Sequence, residues 1–115
     1  MQPLISSRII PTESQHIAGL VKKYVRLEDT TSSVILFGSR ARGDAASDSD
    51  WDFLILTQKK ATDILANDLR KIISREVELR YNVAISMIVK NAMLWETDYA
   101  VTNIYESISE EGVLI

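Results

Sequence analysis

Two short apolar runs limit the fold of this chain more than any other feature. Val34-Ile35-Leu36-Phe37 and the stretch from Trp51 to Leu56 are too short for helices and long enough for buried strands. A third run, Val83 to Val89, reads the same way. Longer segments with apolar residues at helical spacing lie around them. Residues 13–26 carry Ile17, Leu20, Val21, Tyr24 and Val25 on one stripe, after a capping pattern at Thr12 and Gln15. Residues 61–79 carry Leu65, Leu69, Ile72, Ile73 and Val77. Residues 97–110 carry Val101, Ile104, Tyr105 and Ile108, with Gly112 as the stop and Val113-Leu114-Ile115 as a last short strand. Short strands separated by helices predict an α+β fold: one small mixed sheet with helices packed on it.

At 115 residues the chain fits a single domain, 1–115. That leaves no room for separate catalytic and recognition domains, so a second substrate would be small or carried by another protein. The net charge of −3 and pI of about 5.1 argue against general duplex DNA binding, which needs cations to displace phosphate counterions. With no cysteine, thiolate catalysis and cysteine-held zinc are excluded. The lone His16 cannot form a histidine metal cluster and reads as part of a solvated helix face. No apolar run approaches the ~20 residues of a membrane span. Residues 1–11 read as a loop or edge segment. They are broken by Pro3, Ser6, Ser7 and Arg8 and lack a signal-peptide core, so the expected location is the cytoplasm.

The chemistry concentrates between the first two strands. Gly38 lets a ligand approach the backbone, and Ser39 reads as the N-cap of a short helix. Amides at a helix start favour phosphate. Arg40 and Arg42 could add charge-assisted bonds. Alone, the Gly-Ser pair reads as an ordinary capped helix. The Gly38–Gly43 spacing is like the first half of a P-loop, but Asp44-Ala45 stands where Lys and Ser/Thr are required, which excludes that motif. Asp50 and Asp52 open the second strand, and alternate strand residues share a face. Trp51 then points the other way and reads as packing. Two carboxylates so close repel, and a hard cation such as Mg²⁺ would resolve that cost. Alone, this pair reads as a solvated strand entrance. Together, a phosphate-binding turn and a metal-binding pair on neighbouring strand ends are what phosphoryl or nucleotidyl transfer requires.

The pattern Gly38-Ser39-x-Ala41-Arg42-Gly43-x-Ala45-x-x-x-Ser49-Asp50-x-Asp52 resembles the signature of the minimal nucleotidyltransferases of the DNA polymerase β-like nucleotidyltransferase superfamily. The stretch Asn103-Ile104 to Glu111-Gly112-Val113 is similar to that family's closing helix and strand. The resemblance implies the polymerase β-like fold. Gly38 and Ser39 would hold the triphosphate, with Arg42 as a further phosphate contact, and Asp50 and Asp52 would ligate two Mg²⁺ ions. The reaction would move a nucleoside monophosphate, from ATP in the first instance, to an acceptor hydroxyl. Small members of the family pair with HEPN-domain proteins as toxin–antitoxin couples, which makes such a protein a candidate partner. One departure stands out. The family carries a third acid on the third strand, and here that place falls near Ala84 or Ser86. Glu76 and Glu78 belong to the long helix. The missing acid keeps a second reading open: a catalytically weak or inactive nucleotide- or partner-binding module. Trp95 and Tyr99 read as packing residues near the start of the last helix.

Overall fold

The structure, a computed structural model, describes residues 12–115, without the side chains of Thr12 and Glu13. The loop expected for residues 1–11 and the cap expected from Thr12 lie outside the described residues.

Helix α1 spans Thr12–Glu28 and strand β1 Ser33–Phe37. A one-turn helix, α2 (Ser39–Arg42), precedes β2 (Trp51–Thr57). Next come α3 (Asp63–Ile73), a π-helical turn (Ser74–Glu78) and α4 (Leu79–Tyr81). Strand β3 is Ile85–Asn91, followed by α5 (Ala92–Thr97), α6 (Asn103–Glu111) and β4 (Val113–Leu114). The sheet order is β3-β2-β1-β4. β1 is antiparallel to β2 and β4, and β2 is parallel to β3, so the sheet is mixed as expected.

Strand alternation divides the core in two. On one face Val34, Leu36, Trp51, Phe53 and Ile55 meet the apolar stripes of α1 and α3, including Val21, Val25, Leu65 and Leu69. On the other, Ile35, Leu54 and Leu56 meet Trp95, Tyr105 and Ile108 of α5 and α6. Trp95 is buried and stacks on Tyr99 at 5.8 Å, so both pack as expected. His16 is exposed, its ring edge against Tyr81. Among the described residues no helix is long and apolar enough to cross a membrane.

Several boundaries differ from the sequence expectation, and three of the differences have a plain physical cause. The last helix, expected over 97–110, begins only at Asn103, and a separate helix, α5, ends at Thr97. The Asn91 side chain caps α5 by accepting from the Leu94 amide, and Thr102 caps α6 by accepting from the Tyr105 amide. Val101, expected on the apolar stripe, sits in the turn between them and is 91% exposed. β3 starts two residues later than expected. Asn82 ends the long helix in the left-handed conformation, and the Glu78 carboxylate takes the Ile85 amide that opens the strand. Gly112 stops α6 with φ −66°, not left-handed. Glycine is needed there for space, since a Cβ would stand 2.5 Å from the Ile108 carbonyl oxygen.

The turn from α1 into β1 hangs on Asp29, 6% exposed. Its carboxylate accepts from the Thr31 amide at 3.1 Å, the Thr31 hydroxyl at 2.8 Å, the Ser32 hydroxyl at 2.9 Å, and the Thr57 hydroxyl at the far end of β2. Burial pushes this carboxyl up, but the hydrogen bonds outweigh burial and hold it at about 2.

Candidate active site

The end of β1 and the start of β2 lie at the same end of the sheet, because Phe37 stands opposite Asp52. Gly38 leaves β1 with φ 74° and ψ −161°, a conformation open essentially only to glycine. Space makes the same demand: a Cβ on Gly38 would lie 2.5 Å from Oδ2 of Asp52. Gly38, not Ser39, is the N-cap of α2, and no side chain caps that helix. Ser39 is its first residue. With four residues, α2 aligns too few peptide dipoles for a sizeable macrodipole. Any anion here would depend on individual N–H and hydroxyl donors. Gly43, left-handed at φ 86°, ends the turn.

Asp50 is exposed just before β2, and Asp52 is half-buried within it. Trp51 between them is buried against the α1–α3 face, as strand alternation predicts. The Asp52 carboxyl is pushed up, first by burial, then by the charges of Asp50 and Glu111, with Arg42 opposing. This is a like-charge cost that a cation would relieve.

Glu111 is the residue that sequence reasoning missed. Its Oε1 accepts from the Gly38 amide at 3.1 Å, and its Oε2 accepts from Nη1 of Arg42 at 2.8 Å. The β4 pairing explains this: Leu36 faces Val113, and two more steps along that register bring Glu111 level with Gly38. The one signal in the sequence is an acid directly before the Gly112 stop. Arg42 also donates Nε to Asp44 at 3.1 Å. Hydrogen bonds to Glu111 and Asp44 push its already high pKa further up.

Arg40 has a different task. Its Nη2 donates to the carbonyls of Ser47 at 3.2 Å and Ser49 at 3.0 Å, and its guanidinium lies 4.4 Å over the Trp51 ring. It thereby fastens the loop that presents Asp50. On β3, Ser86 is the direct partner of Asp52, and the Ala84 carbonyl accepts from the Trp51 amide. No carboxylate stands at either place. Glu76 pairs with Arg75 and Arg80, and Glu78 is used at the β3 start, so neither substitutes. Among the described residues no three acids, histidines or cysteines gather as a metal cluster. Two carboxylates of this kind fit a hard cation that keeps part of its water shell.

Comparisons with known proteins bear on the family and the fold. The family model described as "Nucleotidyltransferase domain" matches residues 18–115. A protein of Methanocaldococcus jannaschii, named as a candidate protein adenylyltransferase, is 44% identical over 63 residues. That stretch is 55% of this chain and 63% of the relative, so the match spans less than two thirds of the relative's length. Among solved structures, a toxin–antitoxin with AMP-PNP superposes with TM-score 0.59 at 14% identity, covering 84% of this chain and 70% of the other. A candidate nucleotidyltransferase of Sulfolobus solfataricus superposes with TM-score 0.50 at 23% identity, covering 89% and 82%. At such identities these two likenesses concern the fold.

Proposed function

The chain belongs to the nucleotidyltransferase domain family, and from that premise we propose that it transfers a nucleoside monophosphate from a nucleoside triphosphate, ATP foremost, to an acceptor hydroxyl. The acceptor hydroxyl gives up its proton to solvent and its oxygen bonds to the α-phosphorus as the bond from that phosphorus to the bridging oxygen of the β-phosphate breaks, and pyrophosphate leaves. Gly38 and Ser39 hold the triphosphate through the backbone amide and the hydroxyl, with Arg42 as a further contact. Asp50 and Asp52 hold Mg²⁺, two ions in the full reading. When bound, the ions neutralise charge on the polyphosphate. One observation carries the reading: the glycine turn and the Asp52 carboxylate approach so closely that Gly38 has no room for a Cβ.

A protein acceptor is proposed, with support from the name of the M. jannaschii relative. A toxin–antitoxin setting, with this chain as the antitoxin, draws on the toxin–antitoxin neighbour, and a HEPN-domain protein as the partner draws on the resemblance of the Gly38–Asp52 signature. The single-domain arrangement over 1–115 and a cytoplasmic setting belong to the same proposal. The second reading, a weak or inactive nucleotide- or partner-binding module, draws on Ser86 standing beside Asp52 where a third acid would complete the site.

Titration calorimetry with ATP, with and without Mg²⁺, and a transfer assay with labelled ATP and a candidate partner protein test these readings. Magnesium-dependent binding and transfer, both lost in Asp50→Ala and Asp52→Ala, are expected. Transfer at the wild-type level in those variants would sink the catalytic reading. Binding without transfer would favour the second reading, and no triphosphate binding at all would remove the catalytic reading and leave only the partner-binding form of the second.

A further inference from the structure

We infer that the Glu111 carboxylate sits in the place of a triphosphate oxygen and must swing out before a nucleotide can bind. The inference rests on the nucleotide reading above and concerns how that site is controlled.

Two of the three residues proposed to hold the triphosphate are already engaged, and by the same side chain. Gly38 has one N–H, and Glu111 Oε1 accepts it at 3.1 Å. A phosphate oxygen can take that donor only by replacing Glu111. Arg42 has more donors, but Nη1 is held by Glu111 Oε2 at 2.8 Å and Nε by Asp44 at 3.1 Å. A backbone amide plus a guanidinium is a donor pair that suits a phosphate as well as a carboxylate. Glu111 therefore mimics the ligand. Its presence also adds negative charge beside Asp52, a cost that grows when a polyanion arrives.

The displacement is one of a side chain at a helix end. The Glu111 side chain is 23% exposed and belongs to the last residue of α6, so release calls for a change in its own torsion angles rather than in the helix. Apparent affinity is then the intrinsic affinity reduced by the fraction of molecules in which Glu111 is out. Asp44 holds the same guanidinium but does not touch Gly38, which makes it the control.

The test is calorimetric titration of Mg²⁺ with AMP-PNP into the wild type, Glu111→Ala, Glu111→Gln and Asp44→Ala. Glu111→Ala should bind about tenfold more tightly, a charge-assisted contact's worth. Glu111→Gln, which keeps the shape and loses the charge, should fall between it and the wild type. Asp44→Ala should gain much less. Glycine-selective ¹⁵N labelling gives an independent readout, since the chain has four glycines. The Gly38 amide resonance should move on ligand addition to the wild type, and should already be displaced in unliganded Glu111→Ala. Unchanged or weaker binding in Glu111→Ala would overturn the inference and make Glu111 a brace for the turn. An equal gain in Asp44→Ala would reduce the effect to net charge and overturn it too. Failure of every variant and the wild type to bind would instead remove the nucleotide reading itself, and this inference with it.

Discussion

Replacing Gly38 with alanine is the sharpest test of the geometry. Two separate costs are expected. The backbone at φ 74°, ψ −161° is strained for any residue with a Cβ, by about 1–3 kcal/mol. The new Cβ would also stand 2.5 Å from Oδ2 of Asp52, so the carboxylate must leave its rotamer, at roughly 1 kcal/mol. The sum, about 2–4 kcal/mol, is a large share of a small domain's stability and corresponds to a fall of roughly 10–20 °C in Tm. Urea denaturation of four proteins separates the two parts: wild type, Gly38→Ala, Asp52→Ala and the double variant. Asp52→Ala removes the oxygen in the way but leaves the backbone conformation. Gly38→Ala should therefore cost about 1 kcal/mol less in that background. A cost below about 0.5 kcal/mol in the wild-type background would refute the strain argument. Equal costs in both backgrounds would refute the close approach to Asp52.

Two further outcomes follow from residues outside the turn. The Asp29 carboxyl is held at about 2 in the folded protein against 3.8 in the free side chain, so its stabilisation is complete above roughly pH 4 and is lost as the pH falls toward 2. It amounts to about 2 kcal/mol. Asp29→Ala should cost at least that at pH 7, and its deficit relative to wild type should shrink in urea melts run toward pH 2; a deficit that stays constant would contradict this. Ser86→Asp restores an acid next to Asp52 at an exposed sheet position. It should raise Mg²⁺-dependent transfer roughly tenfold or more by adding a metal ligand, and no change in transfer rate or metal affinity would mean that this place in the sheet does not face the metal.

Local pattern carried most of the sheet and the candidate site. β1 and β2 are legible because buried strands of this kind are short apolar runs, and the turn between them is legible because its glycines, serine and aspartates each answer to a local demand. The last helix misled for a physical reason. Val101, Ile104, Tyr105 and Ile108 share helical spacing, but the hydroxyl of Thr102 captures the Tyr105 amide and starts α6 after Val101. The caps at Asn91 and Thr102 were the available signal, and apolar spacing alone does not weigh them. Glu111 could not be placed from the sequence, because its position depends on the register of β4 against β1, a pairing between distant segments that no local periodicity encodes. Asp29 is similar: its partners Thr31 and Ser32 are neighbours, but Thr57 reaches it only once β2 is in place.

The β4 pairing has a consequence in time. Gly38 and Glu111 are 73 residues apart along the chain, whereas β1 and β2 are joined by a short connection. Contacts of long sequence separation tend to form late in folding, after nearer ones have reduced the search. During refolding, the β1–β2 pair and its α1 cover should mature first, with Gly38 and the two aspartates already in place but the carboxylate from α6 still absent. If Glu111 holds the phosphate seat, the nascent site is open before it is guarded, and a nucleotide present during refolding meets a more receptive protein than one added afterwards.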